Sequence, residues 1–558
     1  MSIKLIFIAL PIILTFNACN SNSKPNKVIN SNPTVTPTTL PGDANTTVIP
    51  TTPPGDTNHT VIPTILLKNK KYISLTTGIK QKLLFPNNKD IEWDSNNSAI
   101  TIDNDGVIYA NKDISHNNAQ ATITATPKNG DTPLSIEVTA VPWRANLSSL
   151  TIEHLPLNIS SLLAHKNSNI YYTYGSSVYS SSNSMNSSKE IGDFFTENYS
   201  GGRKPYHIET PSRHYIRIGN EIHMTTDFST YDEILTSPLS HATKLGGLKS
   251  AFAYDKKNNY IYAGEYSVNE HNNTHSVYRG KANETGIENW SEVLTFDSRI
   301  QDTIKTVRHI HVVAVDPYTS NVWISTGDTN RESRLYYSQD QGKSFKLFAI
   351  GSQYYRSLSI WFTKDYMYWN TDSASVKQVI SRVKRTDISK GILTPKLSSG
   401  ETKIGVSYYV LKSTDGFFPK KVGRIYKETS TRELSEENIV YAIDDPIYDY
   451  REIVTELANS AHWYHLIVKN KKEEEIVLMS TSAEISENFS RDNHPRIFGI
   501  KERKDGTVDI QELLSIENDN KEYTQFIPYF QDEKGFIYFK GRDTKTSAFK
   551  TKLQWIDQ

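Results

Sequence analysis

Arg308-His309-Ile310-His311-Val312-Val313-Ala314-Val315-Asp316-Pro317-Tyr318-Thr319-Ser320-Asn321-Val322-Trp323-Ile324-Ser325-Thr326-Gly327-Asp328 decides the fold of this chain. Arg308–Asp316 is an apolar, β-branched run, Tyr318–Asn321 is a polar turn, and Val322–Asp328 is a second strand carrying Trp. Such a pair of runs around turn residues predicts a β-hairpin. The plan recurs as Ser250–Asp255 with Tyr260–Glu265, Arg356–Phe362 with Tyr366–Asp372, His462–Lys469 with Glu475–Ser480, and Gln525–Gln531 with Gly535–Lys540. Repetition at about fifty residues, with few helical periodicities, predicts a β-propeller, in which each four-stranded blade buries its faces against its neighbours. From Trp143 to Gln558 the length favours seven blades, with six or eight open.

Just beyond the hairpin, Ser338-Gln339-Asp340-Gln341-Gly342-Lys343-Ser344-Phe345 resembles the Asp-box turn of sialidase-like propellers. The physics is local: the Asp accepts backbone hydrogen bonds, the Gly permits positive φ, and the aromatic anchors the hairpin. Ser338, Asp340, Gly342, Ser344 and Phe345 are therefore structural, and the resemblance puts them away from the ligand face. Val277–Leu294 is a degenerate relative in which Trp290 keeps the anchoring role. The wider stretch Arg308–Asp372 resembles Asp-box-repeat proteins described as glycosyl-hydrolase-like. A true sialidase is not expected, because such enzymes start the propeller with Arg-Ile-Pro, whereas Pro495-Arg496-Ile497-Phe498 has the wrong order and lies late.

A hairpin's open end sets the first residue of one strand beside the last residue of the next. At the ligand face of a propeller, first-strand starts offer Lys249, Arg308, His309, His311, Arg356, His462 and His465, and second-strand ends offer Glu265, Asp328 and Asp372. This polar ring suits an anionic or hydroxyl-rich glycan, with Tyr266 and Trp369 as stacking surfaces. His309 and His311, two apart on a strand, share a face. They could hold a divalent metal with Asp328 or Asp372, act as bases for proton abstraction, or simply line the channel. For Arg308, Arg356, Asp328 and Asp372, salt bridges between blades stand beside ligand contacts as an alternative reading.

The rest of the chain concerns location and reach. The 558 residues carry 62 basic and 62 acidic side chains, so no basic face for nucleic acid is expected. One cysteine excludes an internal disulfide framework and a multi-cysteine zinc site. Leu5–Phe16 is an apolar run too short to span a bilayer, and reads as a secretion signal. It ends in Phe16-Asn17-Ala18-Cys19, which resembles the bacterial lipoprotein lipobox. The resemblance implies lipidation at Cys19 after removal of residues 1–18, and hence membrane attachment in a bacterial envelope, at the outer membrane or cell surface. Residues 19–63 are rich in Thr, Pro and Asn, and Thr38–Pro50 recurs as Thr51–Pro63. Proline at this density predicts an extended stalk.

Residues 64–142 alternate short apolar runs with turns: Tyr72–Leu75, Lys80–Phe85, Ile91–Asp94, Ile100–Ile102, Val107–Ala110, Ala121–Pro127 and Leu134–Val141. This spacing predicts a small β-sandwich. Ile91-Glu92-Trp93-Asp94-Ser95, Ile102-Asp103-Asn104-Asp105-Gly106-Val107-Ile108 and Ala121-Thr122-Ile123-Thr124-Ala125 resemble the second group of bacterial Ig-like domains, which serve as spacers or adhesive units. The expected fold is thus all-β: an Ig-like sandwich followed by a propeller. Two functions fit it, a surface-anchored propeller that binds or processes a glycan, and a non-enzymatic adhesin or envelope scaffold.

Overall fold

The computed structural model describes segments between residues 64 and 555; residues 1–63, 556–558 and intervening stretches, of which 395–409, 413–446 and 482–494 are the longest, lie outside the described residues. The lipobox and the stalk therefore fall outside them.

The N-terminal module is a sandwich of two four-stranded sheets. Thr64–Leu66, Lys80–Leu84, Val107–Ala110 and Ile100–Ile102 form one sheet. Tyr72–Thr76, Leu134–Val141, Ala119–Pro127 and Ile91–Ser95 form the other. Alternation along Ala119–Pro127 sends Ala121, Ile123 and Ala125 inward, and Ile100, Ile108, Ile136 and Val138 complete the core. Trp93 packs half-buried against it, so the tryptophan is a core residue as its strand position predicts.

Beyond it the described residues hold seven sheets that each contain four antiparallel strands, consecutive in the chain in five of them, arranged as a β-propeller. The decisive hairpin forms the inner half of one blade: His309–Val315, Val322–Gly327, Arg334–Ser338, Ser344–Ile350. Every residue of Val322–Gly327 and Arg334–Ser338 is buried, because a middle strand of a blade is covered on both faces. The next blade begins with Ile360–Phe362, shorter than the expected Arg356–Phe362, and a 3₁₀ helix, Gln353–Tyr355, lies ahead of it.

Apolar interfaces run between successive blades. Trp323, Tyr337 and Phe348 meet Ile360, Met367 and Trp369, and Trp361 and Tyr368 meet Met479 and Phe498 in turn. Tyr538 and Ala548 of the last sheet meet Leu162, Ile170 and Tyr172 of the first, which closes the ring. The closing sheet joins Glu153–His154 to Ala548–Lys552, so both ends of the propeller segment share one blade.

The turns follow from their side chains. Asp316 Oδ1 accepts from Tyr318 N at 2.9 Å, and Asp532 Oδ1 accepts from Lys534 N and Phe536 N at 2.9 and 2.8 Å. In the turn at Ser338–Phe345, Asp340 accepts from Ser344 N (2.9 Å) and Ser344 Oγ (2.6 Å), Gly342 takes φ +85°, and Phe345 is fully buried. Ser338 pairs with Val322, so this turn lies at the opposite end of the blade from Gly327 and Asp328.

Candidate ligand site at one end of the propeller

His309 pairs with Gly327 and Ile310 with Thr326, but Val312 pairs with Ser325, leaving His311 as the extra residue of a β-bulge. A bulge re-aims the side chains beside it. Here it directs two imidazoles at the carboxylate that follows Gly327: His309 Nδ1 lies 2.8 Å from Asp328 Oδ2, and His311 Nε2 lies 3.4 Å from Asp328 Oδ1. Gly327 is required by close approach, since a Cβ there would stand 2.7 Å from the His311 ring.

The surrounding groups come from three blades. Tyr266, from the preceding blade, stacks on His309 with ring centroids 4.2 Å apart and bridges to its backbone. Arg356, at the entry to the following blade, reaches Asp328 Oδ1 through Nη2 (3.2 Å) and Asp372 Oδ2 through Nε (3.3 Å). Gln353 donates to the Asp328 carbonyl at 2.8 Å, and Ser250 Oγ donates to the His311 carbonyl at 2.7 Å.

Burial alone would push the Asp328 carboxyl up, but His309, His311 and Arg356 outweigh it and hold it well below the usual carboxylate range. Burial pushes the His311 imidazole down, against the pull of Asp328. Burial also opposes the Arg356 charge, and Asp372 with Asp328 more than restores it. The site is thus a fixed carboxylate–guanidinium–carboxylate row with two imidazoles behind it. The His side chains are more than nine-tenths buried, whereas Asp328, Asp372 and Arg356 keep edges open to solvent. His309, His311 and Asp328 each offer one ligand atom within 4.8 Å of the others, so this trio could hold a metal.

Of the residues expected at the mouth, His309, His311, Asp328, Arg356 and Asp372 come together, with Tyr266. Others do not. Glu265 is buried and accepts from Ser276 N of its own blade at 2.7 Å. Arg308 lies 3.5 Å from Glu332, a buried carboxylate that the sequence pattern did not single out. Trp369 is fully buried in a blade interface, with Nε1 donating to the Tyr354 carbonyl at 3.0 Å; it offers no stacking surface. His465 lies along the central channel and contacts Ser359 Oγ at 2.6 Å. The side chains of Lys249 and His462 fall outside the described residues.

The channel itself contains about 310 Å³ of open space lined by Val312–Val315, Trp361 and His465 among others, with further space beside His165, His207 and Tyr529. Sequence reasoning missed a second polar chain there. Lys166 Nζ contacts His214 Nε2 at 2.9 Å, and His214 Nδ1 contacts His207 Nε2 at 2.9 Å. Burial, and then the Lys166 charge, push the His214 imidazole down to about 4.

Residues 56–138 match the family of invasin domain 4. A comparison with curated proteins finds no match. Among solved structures, the chain is similar to one in a mitotic checkpoint complex (8% identity, 74% of this chain and 96% of that one, TM-score 0.38). It is also similar to a DUF4623 family protein from Bacteroides eggerthii (11%, 82% and 88%, 0.31) and to the WD40 domain of SCAP from fission yeast (10%, 72% and 94%, 0.32). The propeller is read from the sheet order and blade interfaces above, not from these likenesses. The chain is an all-β protein in which a bacterial Ig-like domain precedes a β-propeller.

Proposed function

We propose that this chain is a lipid-anchored bacterial surface protein whose propeller binds or processes a glycan at the end formed by Tyr266, His309, His311, Asp328, Arg356 and Asp372. The observation that carries the reading is the row Asp328–Arg356–Asp372, partly open to solvent above buried imidazoles. Fixed carboxylates and a planar guanidinium suit sugar hydroxyls, and Arg356 also suits a uronate carboxylate. Cys19 would supply the membrane attachment and residues 20–63 the reach. The test is binding and cleavage by the Cys19→Ser chain across acidic and neutral polysaccharides; loss on His309→Ala and Asp372→Ala supports the site, and no binding or cleavage on any polysaccharide rejects it.

The match of residues 56–138 to invasin domain 4 favours a second reading, a non-enzymatic adhesin. It predicts attachment that is unchanged by alanine at His309, His311 or Asp372.

A further inference from the structure

We propose that His309, His311 and Asp328 form the binding site of one first-row divalent transition metal ion of the zinc type, with an open coordination position facing the end of the propeller. The three side chains belong to a single hairpin, two from the bulged strand and one from the residue after its partner strand, so the backbone fixes their separation. Ligand atoms around a tetrahedral zinc, each about 2.1 Å from the ion, stand roughly 3.4 Å from one another. His311 Nε2 and Asp328 Oδ1 already have that spacing, at 3.4 Å.

The rings are also short of partners. Neither nitrogen of His309, nor Nδ1 of His311, makes a hydrogen bond, although all three atoms are buried. His309 Nδ1 meets Asp328 Oδ2 at 2.8 Å as an ion pair. Buried polar atoms in this condition call for an explanation, and a bound ion supplies one where it can reach them. An ion at Nδ1 of His309, Nε2 of His311 and the Asp328 carboxylate gives His309 Nδ1 a partner.

The donor set selects the metal class. Two imidazoles and one carboxylate suit zinc, manganese, iron or nickel, whereas calcium and magnesium prefer all-oxygen shells. Three protein ligands leave a coordination position for water, a hydroxyl or a carboxylate. The charges agree: with neutral rings, Asp328, Asp372 and Arg356 sum to one negative charge, which a dication offsets. Arg356 holds Oδ1 of Asp328 and leaves Oδ2 to the His309 side.

The test uses the full chain carrying Cys19→Ser, untagged and stripped with a chelator, titrated with Zn²⁺ by calorimetry and with Co²⁺ by visible absorption. The expected result is one ion per chain, with affinity falling at least tenfold in His309→Ala and Asp328→Asn and unchanged in His207→Ala. A melting curve on each variant separates loss of the site from loss of the fold. If Asp328→Asn does not fold, His309→Ala alone decides. No saturable binding, or equal affinity in wild type and His309→Ala, overturns the proposal. No glycan enters this titration, so its failure leaves the glycan reading standing, and failure of the polysaccharide panel leaves the metal site standing.

Discussion

His309 and Asp328 face each other across 2.8 Å because a bulge at His311 and a glycine at 327 bring the two ends of a hairpin together. Neither residue is special in isolation; the register of one strand pair makes them neighbours. That register can be tested by disturbing it.

Gly327→Ala places a methyl group 2.7 Å from the His311 ring and 3.0 Å from the Arg356 side chain. The ring must move. Overpacking of this kind costs about 1–3 kcal/mol. Denaturant titration should show that loss, and polysaccharide binding should fall more steeply than stability.

Arg356→Ala leaves Asp328 and Asp372 without their shared cation. Breaking a buried pair costs about 3–5 kcal/mol. Arg356 is about a quarter exposed, so a smaller loss, on the order of 2 kcal/mol, is expected from chemical denaturation. Arg356→Lys should recover only part of it, since an ammonium cannot present two donors in one plane.

His214 sets an acid limit on stability. Its folded pKa is pushed down to about 4 from an ordinary value of 6.5. Between those values the unfolded chain binds a proton that the folded chain refuses, so stability falls as pH drops from 6.5 and levels off for this group below about 4. The full effect is roughly 3 kcal/mol at most. Melting temperatures measured from pH 7.5 to 4 should fall less steeply in His214→Gln than in wild type.

Asp340→Ala removes the acceptor for Ser344 N and Ser344 Oγ in the turn at the far end of the same blade. A loss of about 1–2 kcal/mol in denaturant is expected, with ligand binding unchanged. A fall in binding at matched folded fraction would tie this turn to the site.

The hairpins were legible because β-branched and aromatic runs alternate with turns built on Asp or Asn, as at Asp316 and Asp532. His309, His311 and Asp328 were legible for the same reason, since strand pairing alone sets a first residue beside a last one. Trp369 was misassigned on a different ground. All five residues of Tyr366–Asn370 are buried, so no polar–apolar alternation marks which way each side chain points. Glu332 lies in a connection with no period to read, and Lys166 meets His214 across a blade boundary 48 residues away in sequence. Contacts of that sort depend on how blades abut.

The sheet that joins Glu153–His154 to Ala548–Lys552 has a mechanical meaning. Ahead of it, Arg144–Ala145 runs parallel to Gln511–Glu512 at the outer edge of another blade. Tension pulling on the chain before residue 144 is therefore borne first by that two-residue pairing, and only then by the noncovalent seam where the ring's two ends meet. The pairing of Arg144–Ala145 thus stands ahead of the seam, like a clasp placed next to the strap it holds.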